Sequence, residues 1–595
     1  MGKLQIANHK IAVCVLFCVG LLAAPLVSHQ PFGLSASTEP SGRASGRGLG
    51  EVLRTKPISA QPPPRPDPRF GAVEAFYAPE AATQAGVGWE RVLFWWRGLQ
   101  PNGPHEWDIH YFPDGVLNEE RAQGREIVGM LANAPDWANG GQGTAGVPQG
   151  LYLPYHDANN LWGQFVHRIV SLYKGRIDHW IIWNEPDVWD PGHPGYTWAG
   201  SVEDYYQLLK VGYLAAKEAN PQCTIHLAGL TFWWDAEHGR EQYFNRFLNV
   251  VAQDPTAPDH NYYFDVVTLH IYFRTQSVYD IATFFRQTMR QHGFEKPIWI
   301  NETNAPPSED PQDPVADPRF VVTLDEQASF IIQSFALGLA AGAERIAVYK
   351  MIDWPRPPDA IEPYGLLRDD GSPRPAFATY QVVTTYFAGT QEAFLERSAN
   401  LDQVTLVQGE RTTTVIWNRS PTPKKGIIPA IAPQALLVNK EGHTETVVAV
   451  GGRYTLELEG PVCSDPGCII PGSPLLLVEE GPVAARGSLI PPTPTSLLIT
   501  TATPLPTDTA TPAPTETSTW TPVPTDTPLP SATPSHTPMP TATPVMNNPA
   551  PAQGLLDVLT YLGIYLACVA ILAVTYFGGA LIWWWRSQRQ RSSGI

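Results

Sequence analysis

Two short stretches place a glutamate immediately after an apolar run. Residues 183–186 have the sequence Trp-Asn-Glu-Pro and residues 300–303 have the sequence Ile-Asn-Glu-Thr, and each preceding run has the composition of a buried strand. The glutamates are Glu185 and Glu302. Cleavage of an acetal needs a proton for the departing oxygen and a second carboxylate that stabilises or traps the oxocarbenium-like centre. The pair therefore predicts hydrolysis of a glycosidic bond.

The two carboxyl groups are expected to work in sequence. In the retaining form of this reaction they lie about 5–5.5 Å apart, and one of them forms a covalent ester with the sugar. While Glu302 is ionised, Glu185 keeps its proton for the leaving oxygen. Once the ester removes the charge of Glu302, Glu185 is free to activate a water molecule.

The surrounding sequence alternates apolar strands with amphipathic helices, which is the pattern of a parallel sheet closed by crossovers. Eight strands are predicted, the number that closes a (β/α)8 barrel, and they cover residues 70–74, 91–94, 126–131, 179–183, 224–228, 265–269, 297–301 and 345–349. The active site of such a barrel lies at the carboxyl ends of its strands. Glu185 and Glu302 both fall at that end.

Residues 67–389 resemble the clan A glycoside hydrolases, especially the cellulase-like family 5 and the xylosidase and iduronidase family 39. In this clan the Asn-Glu-Pro motif of strand four supplies the acid/base, so the resemblance implies that role for Glu185. It also implies that Asn184 contacts the sugar 2-hydroxyl. The nucleophile of the clan is a glutamate on strand seven, which implies Glu302.

Further positions match the same clan. Arg91 resembles the arginine that lies near the nucleophile, and His270 with Tyr272 resembles the His-x-Tyr motif of strand six. The resemblance implies that Arg91 and Tyr272 hold Glu302 ionised and correctly aimed, with His270 as a further substrate-binding residue.

Aromatic residues are the candidates for sugar contacts, because aromatic faces stack on sugar rings. Residues 135–138, Pro-Asp-Trp-Ala, resemble the strand-three motif of the clan and make Trp137 a candidate, and Trp96 is another. The clan usually carries a tryptophan at the end of strand eight. This chain has Tyr349 and Trp354 there, and either could take its place.

The composition changes after residue 389. Residues 390–480 contain short β-rich runs separated by Gly, Pro and Asn, which predicts a small antiparallel β-sandwich as an accessory domain. Cys463 and Cys468 are spaced for a small disulfide in an oxidising exterior, although a metal clip has similar spacing. The disulfide is favoured because no histidine or third cysteine is nearby in the sequence.

Both ends of the chain lack the composition of a folded domain. Residues 1–30 predict a signal peptide or an N-terminal anchor, and residues 31–66 predict a linker. Residues 481–552, rich in Thr and Pro, predict a disordered stalk. Residues 553–585 predict a transmembrane helix, followed by a basic cytoplasmic tail at 586–595. The catalytic domain is therefore expected outside the cell membrane.

The net charge of −17 argues against a nucleic-acid partner. No HExxH motif, Cys/His cluster or phosphate-binding glycine loop is present, so no metal or organic cofactor is expected. The sequence predicts a membrane-tethered retaining glycosidase that acts on extracellular polysaccharide or oligosaccharide. Two alternatives remain open: a catalytically silent barrel that serves as a surface glycan-binding or adhesion protein, and a transglycosylase.

Overall fold

The computed structural model of the protein describes residues 65–108, 111–354, 363–462 and 469–486. The predicted N-terminal segment, transmembrane helix and cytoplasmic tail lie outside the described residues, as do Cys463, Cys468 and nearly all of the linker and the stalk. Among the residues that are described, no helix combines the length and the apolar character needed to cross a membrane.

Eight parallel strands form the central sheet, in the order β5-β4-β3-β2-β1-β8-β7-β6. They are β1 (Phe70–Ala72), β2 (Trp89–Trp95), β3 (Glu126–Ala132), β4 (His179–Asn184), β5 (Thr224–Gly229), β6 (Val267–Tyr272), β7 (Ile298–Asn304) and β8 (Ala343–Val348). Backbone hydrogen bonds join the chain at β5 to the chain at β6. Leu227 N in β5 donates to the carbonyl of Val266 directly before β6 (2.9 Å), and Leu230 N directly after β5 donates to the carbonyl of Thr268 in β6 (3.1 Å). These bonds close the sheet, so the predicted barrel is confirmed.

Apolar side chains fill the barrel interior. Val73, Val128, Ile181, Trp299 and Ala347 come from different strands or strand ends and are buried in one cluster with Trp89 and Met130. Burial on both faces explains why the strand sequences are continuous apolar runs rather than alternating ones. The interior is therefore packed, and only the strand ends are available for chemistry.

Helices surround the sheet and cover its outer face. They are α1 (Pro79–Gln84), α2 (Trp96–Leu99), α3 (Asp114–Ala122), α4 (Asp136–Asn139), α5 (Leu161–Tyr173), α6 (Val202–Ala219), α7 (Trp233–Glu237), α8 (Tyr243–Val251), α9 (Thr275–Gln291), α10 (Leu324–Ala340) and α11 (Pro375–Tyr386). Capping boxes begin two of the long ones: Ser201 with Asp204 for α6, and Thr323 with Glu326 for α10. These local signals fix where each helix starts.

Two antiparallel sheets follow the barrel. The larger has six strands in the order β14-β13-β16-β11-β10-β9, and the smaller pairs β12 with β15. Their bounds are β9 (Glu392–Arg397), β10 (Leu401–Gln408), β11 (Arg411–Asn418), β12 (Lys424–Pro429), β13 (Gln434–Asn439), β14 (Thr444–Val448), β15 (Arg453–Leu458) and β16 (Leu475–Glu480). Ile416, Ile428, Leu456 and Leu477 are buried in one cluster shared by the two sheets, which fits the predicted β-sandwich.

The six-stranded sheet also packs on the barrel. Val415 and Trp417 flank Ile416 in β11, and they are buried with the barrel helices instead of in the sandwich core. Gln333 on α10 donates to the carbonyl of Gly472 at 2.9 Å. The alternation of side chains along a strand thus gives this sheet two buried faces.

The chain continues in ordered contact past β16. Arg486 donates to the hydroxyls of Thr405 and Thr414 at 2.9 and 2.6 Å. Residues 481–486, which fall in the predicted stalk, therefore lie against the six-stranded sheet.

Candidate active site

Strained backbone marks the carboxyl ends of the barrel strands. Residues with positive φ occur at the ends of β1, β3, β4, β5 and β6, and they are Glu74 (60°), Asn133 (62°), Trp183 (76°), Glu185 (41°), Phe232 (63°) and Phe273 (64°). Residues other than glycine rarely adopt a positive φ, and those that do are concentrated at functional sites. The strain agrees with the end of the barrel at which the two glutamates were predicted to lie.

Glu302 lies on β7 in a buried pocket of polar contacts. Its Oε1 accepts a hydrogen bond from the Arg91 guanidinium, and its Oε2 accepts one from the Tyr272 hydroxyl. Only 8% of the Glu302 side chain and 2% of the Arg91 side chain are exposed. Both carboxylate oxygens are thus held in fixed directions by residues from β2 and β6.

These contacts also set the charge of Glu302. Burial alone would raise its pKa, but the charges of Arg91 and His270 and the hydrogen bond from Tyr272 outweigh that effect and lower the pKa. Burial, and then the charge of Glu302, raise the pKa of Tyr272 well above its usual value. Tyr272 therefore remains a phenol that donates to an ionised carboxylate.

Glu185 follows β4 directly and reaches the same point. Its Oε1 lies 2.5 Å from His270 Nδ1, and that nitrogen lies 3.4 Å from Glu302 Oε2. One ligand atom from each of Glu185, His270 and Glu302 lies within 4.8 Å of the other two. The side chain of Glu185 is 17% exposed, so it is more open to solvent than Glu302. The two predicted carboxylates are brought together, with His270 between them.

Gly229 at the end of β5 makes room for the His270 ring. A Cβ at position 229 would lie 2.0 Å from His270 Nε2 and 2.4 Å from Cδ2, far inside van der Waals contact. His270 is 1% exposed, and its Nε2 has no hydrogen-bond partner among the described residues. Nδ1 is therefore the ring nitrogen that contacts the two carboxylates.

The same three side chains are the donor set that could hold a metal ion. Glu185, His270 and Glu302 offer two carboxylate oxygens and one imidazole nitrogen at the required separation. A cation there would have to share Glu302 with the Arg91 guanidinium, which already neutralises it. The site is thus better suited to proton transfer and nucleophilic attack than to metal binding.

A pocket of about 180 Å³ opens beside Glu185. Its walls come from the loops that follow β4 to β8, and its aromatic members are Trp233, Trp234, Phe273, Phe320, Tyr272 and Tyr364. His193 in the loop after β4 packs on Trp234, with ring centres 4.5 Å apart. The pocket therefore combines an acid with apolar ring faces.

Two more predicted residues lie next to the glutamates. Asn184 ends β4 and is half-buried beside Glu185. Tyr349 directly follows β8, and its ring lies edge-on to Tyr272 at 6.1 Å and to Tyr364 at 5.3 Å. Tyr349 is therefore the strand-eight aromatic that borders the nucleophile.

Trp354 occupies a different position, where the chain leaves β1 and β8. Its indole donates to Glu74 Oε2 at 2.8 Å and packs against Tyr77, with ring centres 4.6 Å apart. Trp354 is 46% exposed, so its ring remains accessible to a ligand.

The two tryptophans predicted near strands two and three differ from each other. Trp137 is half-buried and donates to the carbonyl of Gln100 at 2.8 Å. Trp96 is fully buried, stacks on Phe165 with ring centres 4.8 Å apart, and donates to the Gln100 side chain at 2.6 Å. Trp96 is thus a core residue, and the prediction that it contacts sugar is corrected, because no part of its ring is open.

Asp187 was not singled out from the sequence. It lies two residues after Glu185, is 2% exposed, and accepts hydrogen bonds from Thr231 N (2.7 Å) and Thr231 Oγ1 (2.9 Å). Burial and the nearby charge of Glu185 raise the pKa of Asp187 to about 7. Its position directly after the Asn-Glu-Pro motif was the available signal.

Known proteins were compared with the whole chain. No family model matches the sequence, and no curated protein matches it. Among solved structures, a family 39 glycoside hydrolase from the gut symbiont Bacteroides cellulosilyticus is similar, with a TM-score of 0.52 and 16% identity. The alignment covers 69% of this chain and 81% of that one.

Two further structures show weaker similarity. A family 30 endoxylanase from Clostridium papyrosolvens has a TM-score of 0.47 and 13% identity, and a monomeric β-xylosidase from Caulobacter crescentus has a TM-score of 0.46 and 14% identity. Each alignment covers 70% of this chain and 97% of the other. At 16% identity, the comparison with the family 39 enzyme shows a shared fold. The resemblance to the clan A glycoside hydrolases is thereby confirmed at the level of the fold.

Proposed function

We propose that this protein is a retaining glycosidase that cleaves O-glycosidic bonds of polysaccharides or oligosaccharides through Glu302 as nucleophile and Glu185 as acid/base. The observation that carries the proposal is that one carboxylate oxygen of Glu185 and one of Glu302 lie within 4.8 Å of each other. An inverting enzyme needs about 6.5–9.5 Å between its carboxyl groups to admit a water molecule, and a retaining enzyme needs about 5–5.5 Å. The fold shared with a family 39 glycoside hydrolase supports the same reaction class.

In the first step, a Glu302 oxygen bonds to the anomeric carbon while the bond from that carbon to the leaving oxygen breaks. Glu185 donates its proton to that oxygen, so the leaving group departs as a neutral alcohol. In the second step, water attacks the anomeric carbon, Glu185 accepts a proton from the water, and the ester bond breaks to restore the Glu302 carboxylate.

The neighbouring residues have separate tasks in these steps. Arg91 keeps Glu302 ionised before attack and compensates the carboxylate that returns afterwards. Tyr272 fixes Oε2, so that Glu302 presents a defined lone pair to the sugar. His270 contacts the acid/base and lies close to the nucleophile, so it fixes the distance between them.

The place of action belongs to the same proposal. The apolar residues 553–585 and the basic residues that follow support a membrane tether, with the barrel outside the cell. The Thr/Pro-rich residues before them support a stalk that carries the barrel away from the surface. On that basis the substrate is extracellular.

The test is sugar release by the full-length chain from a panel of 4-nitrophenyl glycosides and polysaccharides. Glu302→Gln and Glu185→Gln are measured beside it, with Glu295→Gln as the matched control, because Glu295 is an exposed glutamate at the amino-terminal side of β7. Loss of hydrolysis in the first two variants alone supports the proposal. Unchanged hydrolysis in Glu302→Gln contradicts it.

The panel also separates the two alternatives. A transglycosylase would release the aryl group but transfer the sugar to an added oligosaccharide, and it would lose this activity in both glutamine variants. A glycan-binding protein would release nothing and would bind a panel member equally well in all four proteins.

A further inference from the structure

The aromatic pocket lies on the leaving-group side of the site; this assignment rests on the proposed function. Glu185 lines the pocket, whereas Glu302 does not. An acid catalyst contacts the oxygen that joins the glycosyl unit to the leaving group, and the nucleophile approaches the anomeric carbon from the opposite face. The space beyond Glu185 is therefore where the leaving sugar binds.

The walls of this pocket suit a sugar ring. Phe273 and Phe320 pack against each other with ring centres 4.8 Å apart, and Trp233 and Trp234 add further apolar surface to the pocket. All four are only half-buried, so ring faces remain open to a ligand. Aromatic faces of this kind stack on the apolar faces of pyranose rings.

Arg274 stands at the edge of the pocket. It directly follows Phe273, whose φ of 64° turns the chain sharply after β6, and its backbone N–H donates to Tyr272 O at 2.8 Å. The guanidinium lies over the Phe320 ring, 5.2 Å from its centre. The backbone of Arg274 is therefore held next to the strand that carries His270 and Tyr272.

The charge of Arg274 is not neutralised by the described part of the chain. Arg319, the other guanidinium on the same Phe320 ring, forms an ion pair with Glu237. Arg274 forms no ion pair within residues 65–108, 111–354, 363–462 or 469–486, and its side chain is exposed. An aromatic pocket with an exposed cation at its edge matches a ring that carries an anionic substituent.

Arg274 also borders a second cavity. This cavity has a volume of about 370 Å³, and its other walls include Ser277 and Asp280 on α9 and Arg419, Pro461 and Pro471 from the β-sandwich. Arg419 is paired with Asp402 at 3.0 Å, so it does not provide a second uncompensated cation.

We propose that Arg274 binds the carboxylate of a hexuronate in the leaving-group subsite, so that the protein favours substrates with an acidic sugar on the leaving side. The planar guanidinium presents paired N–H donors that match the two oxygens of a carboxylate. The cation–π contact with Phe320 holds the guanidinium beside the pocket.

The experiment compares two leaving groups on one glycosyl unit: neutral 4-methylumbelliferone and 7-hydroxycoumarin-3-carboxylate. The proteins are the full-length chain, Arg274→Gln and Arg290→Gln, the last a matched control because Arg290 is an exposed arginine near the end of α9. A charge-assisted hydrogen bond changes the ratio of kcat/KM for the anionic substrate to that for the neutral one by about tenfold or more. The ratio should fall by that factor in Arg274→Gln only, and the difference should shrink at high salt.

Binding gives a second readout that does not need turnover. Trp233 and Trp234 line the pocket, so tryptophan fluorescence is titrated with a trigalacturonate, a neutral xylotriose and a sulfated trisaccharide. The proposal expects about tenfold weaker binding of trigalacturonate to Arg274→Gln, with xylotriose unaffected. A preference for the sulfated trisaccharide that depends on Arg274 would overturn the carboxylate assignment.

The outcomes separate this proposal from the proposed function. Equal ratios and equal titrations in all three proteins, with hydrolysis that still depends on Glu302, overturn the acidic subsite alone. Absence of hydrolysis from the wild-type chain contradicts the proposed function, and the titrations then decide whether Arg274 binds an acidic sugar.

Discussion

Replacing Gly229 with alanine should damage the site without touching either glutamate. The new Cβ would lie 2.0 Å from His270 Nε2, and carbon atoms do not approach such groups more closely than about 3.0 Å. His270 is buried, and its Nδ1 contacts Glu185 and Glu302, so a shift of the ring away from the new Cβ disturbs both contacts. The substitution therefore displaces the residue that sets the spacing of the catalytic pair.

The expected loss follows from that displacement. Removing the overlap requires a shift of about 1 Å in the His270 ring or in the end of β5, and a misplacement of about 1 Å can cost roughly 100-fold in rate. This factor corresponds to about 2.7 kcal/mol of transition-state stabilisation. The substitution should change kcat more than KM. The reason is that His270 contacts the two catalytic carboxylates, in addition to its place in the wall of the aromatic pocket.

The assay measures kcat and KM on the best aryl glycoside for Gly229→Ala, His270→Ala and the double variant. Gly115→Ala is the matched control, because a Cβ at Gly115 on α3 meets nothing within 4 Å. Thermal unfolding of each variant identifies any loss of the fold. In the His270→Ala background the clash is absent, so the second substitution should change kcat by no more than about twofold.

Two results would refute this reasoning. One is a Gly229→Ala variant with wild-type kcat, which would mean that the barrel end adjusts without moving His270. The other is an equal loss from Gly229→Ala whether or not His270 is present, which would place the damage in the strand itself.

Three further predictions follow from buried charges. Arg91→Gln removes the largest influence that lowers the pKa of Glu302, so the acidic limb of the kcat/KM profile should move to higher pH and kcat should fall. Asp310→Asn leaves Arg368 buried without a partner charge, whereas Arg374 keeps its ion pair with Asp353, and denaturant unfolding should show a loss of about 3–5 kcal/mol. Burial and the charge of His179 lower the pKa of His226 well below its usual value. His226 therefore binds a proton in the unfolded chain at a pH at which it stays neutral in the folded chain. The unfolding free energy should therefore decrease as the pH falls below about 6.5, and less steeply in His226→Gln.

Much of the barrel was predictable because its signals are local. The eight apolar runs correspond to the eight strands within a few residues, and the capping box at Ser201 is a local signal for the start of α6. The glutamate pair was predictable for a related reason, since the carboxyl ends of parallel strands meet at one edge of a barrel. Because Glu185 and Glu302 each follow a predicted strand, they were expected at the same end of the barrel.

Contacts that depend on packing were not predictable in the same way. Trp96 and Trp137 both look like exposed aromatic candidates, but the stacking of Phe165 against Trp96 decides that only Trp137 is partly open. In the β-sandwich, β9, β12 and β13 have only weak signals in the sequence, because they alternate weakly or contain Gly and Pro and are completed by their partners. The need for glycine at position 229 could not be predicted, because the side chain that it makes room for, His270, comes from another strand.

Covalent trapping tests the central claim most directly. A 2,4-dinitrophenyl 2-deoxy-2-fluoroglycoside of the preferred sugar should inactivate the full-length chain with release of one dinitrophenol per molecule, because the fluorine slows hydrolysis of the glycosyl ester more than its formation. Peptide mass spectrometry should then find the added fluorosugar on Glu302, and Glu302→Gln should remain unlabelled. A label on any other residue, or turnover that gives the inverted anomer with no label, would contradict the assignment of Glu302 as the nucleophile.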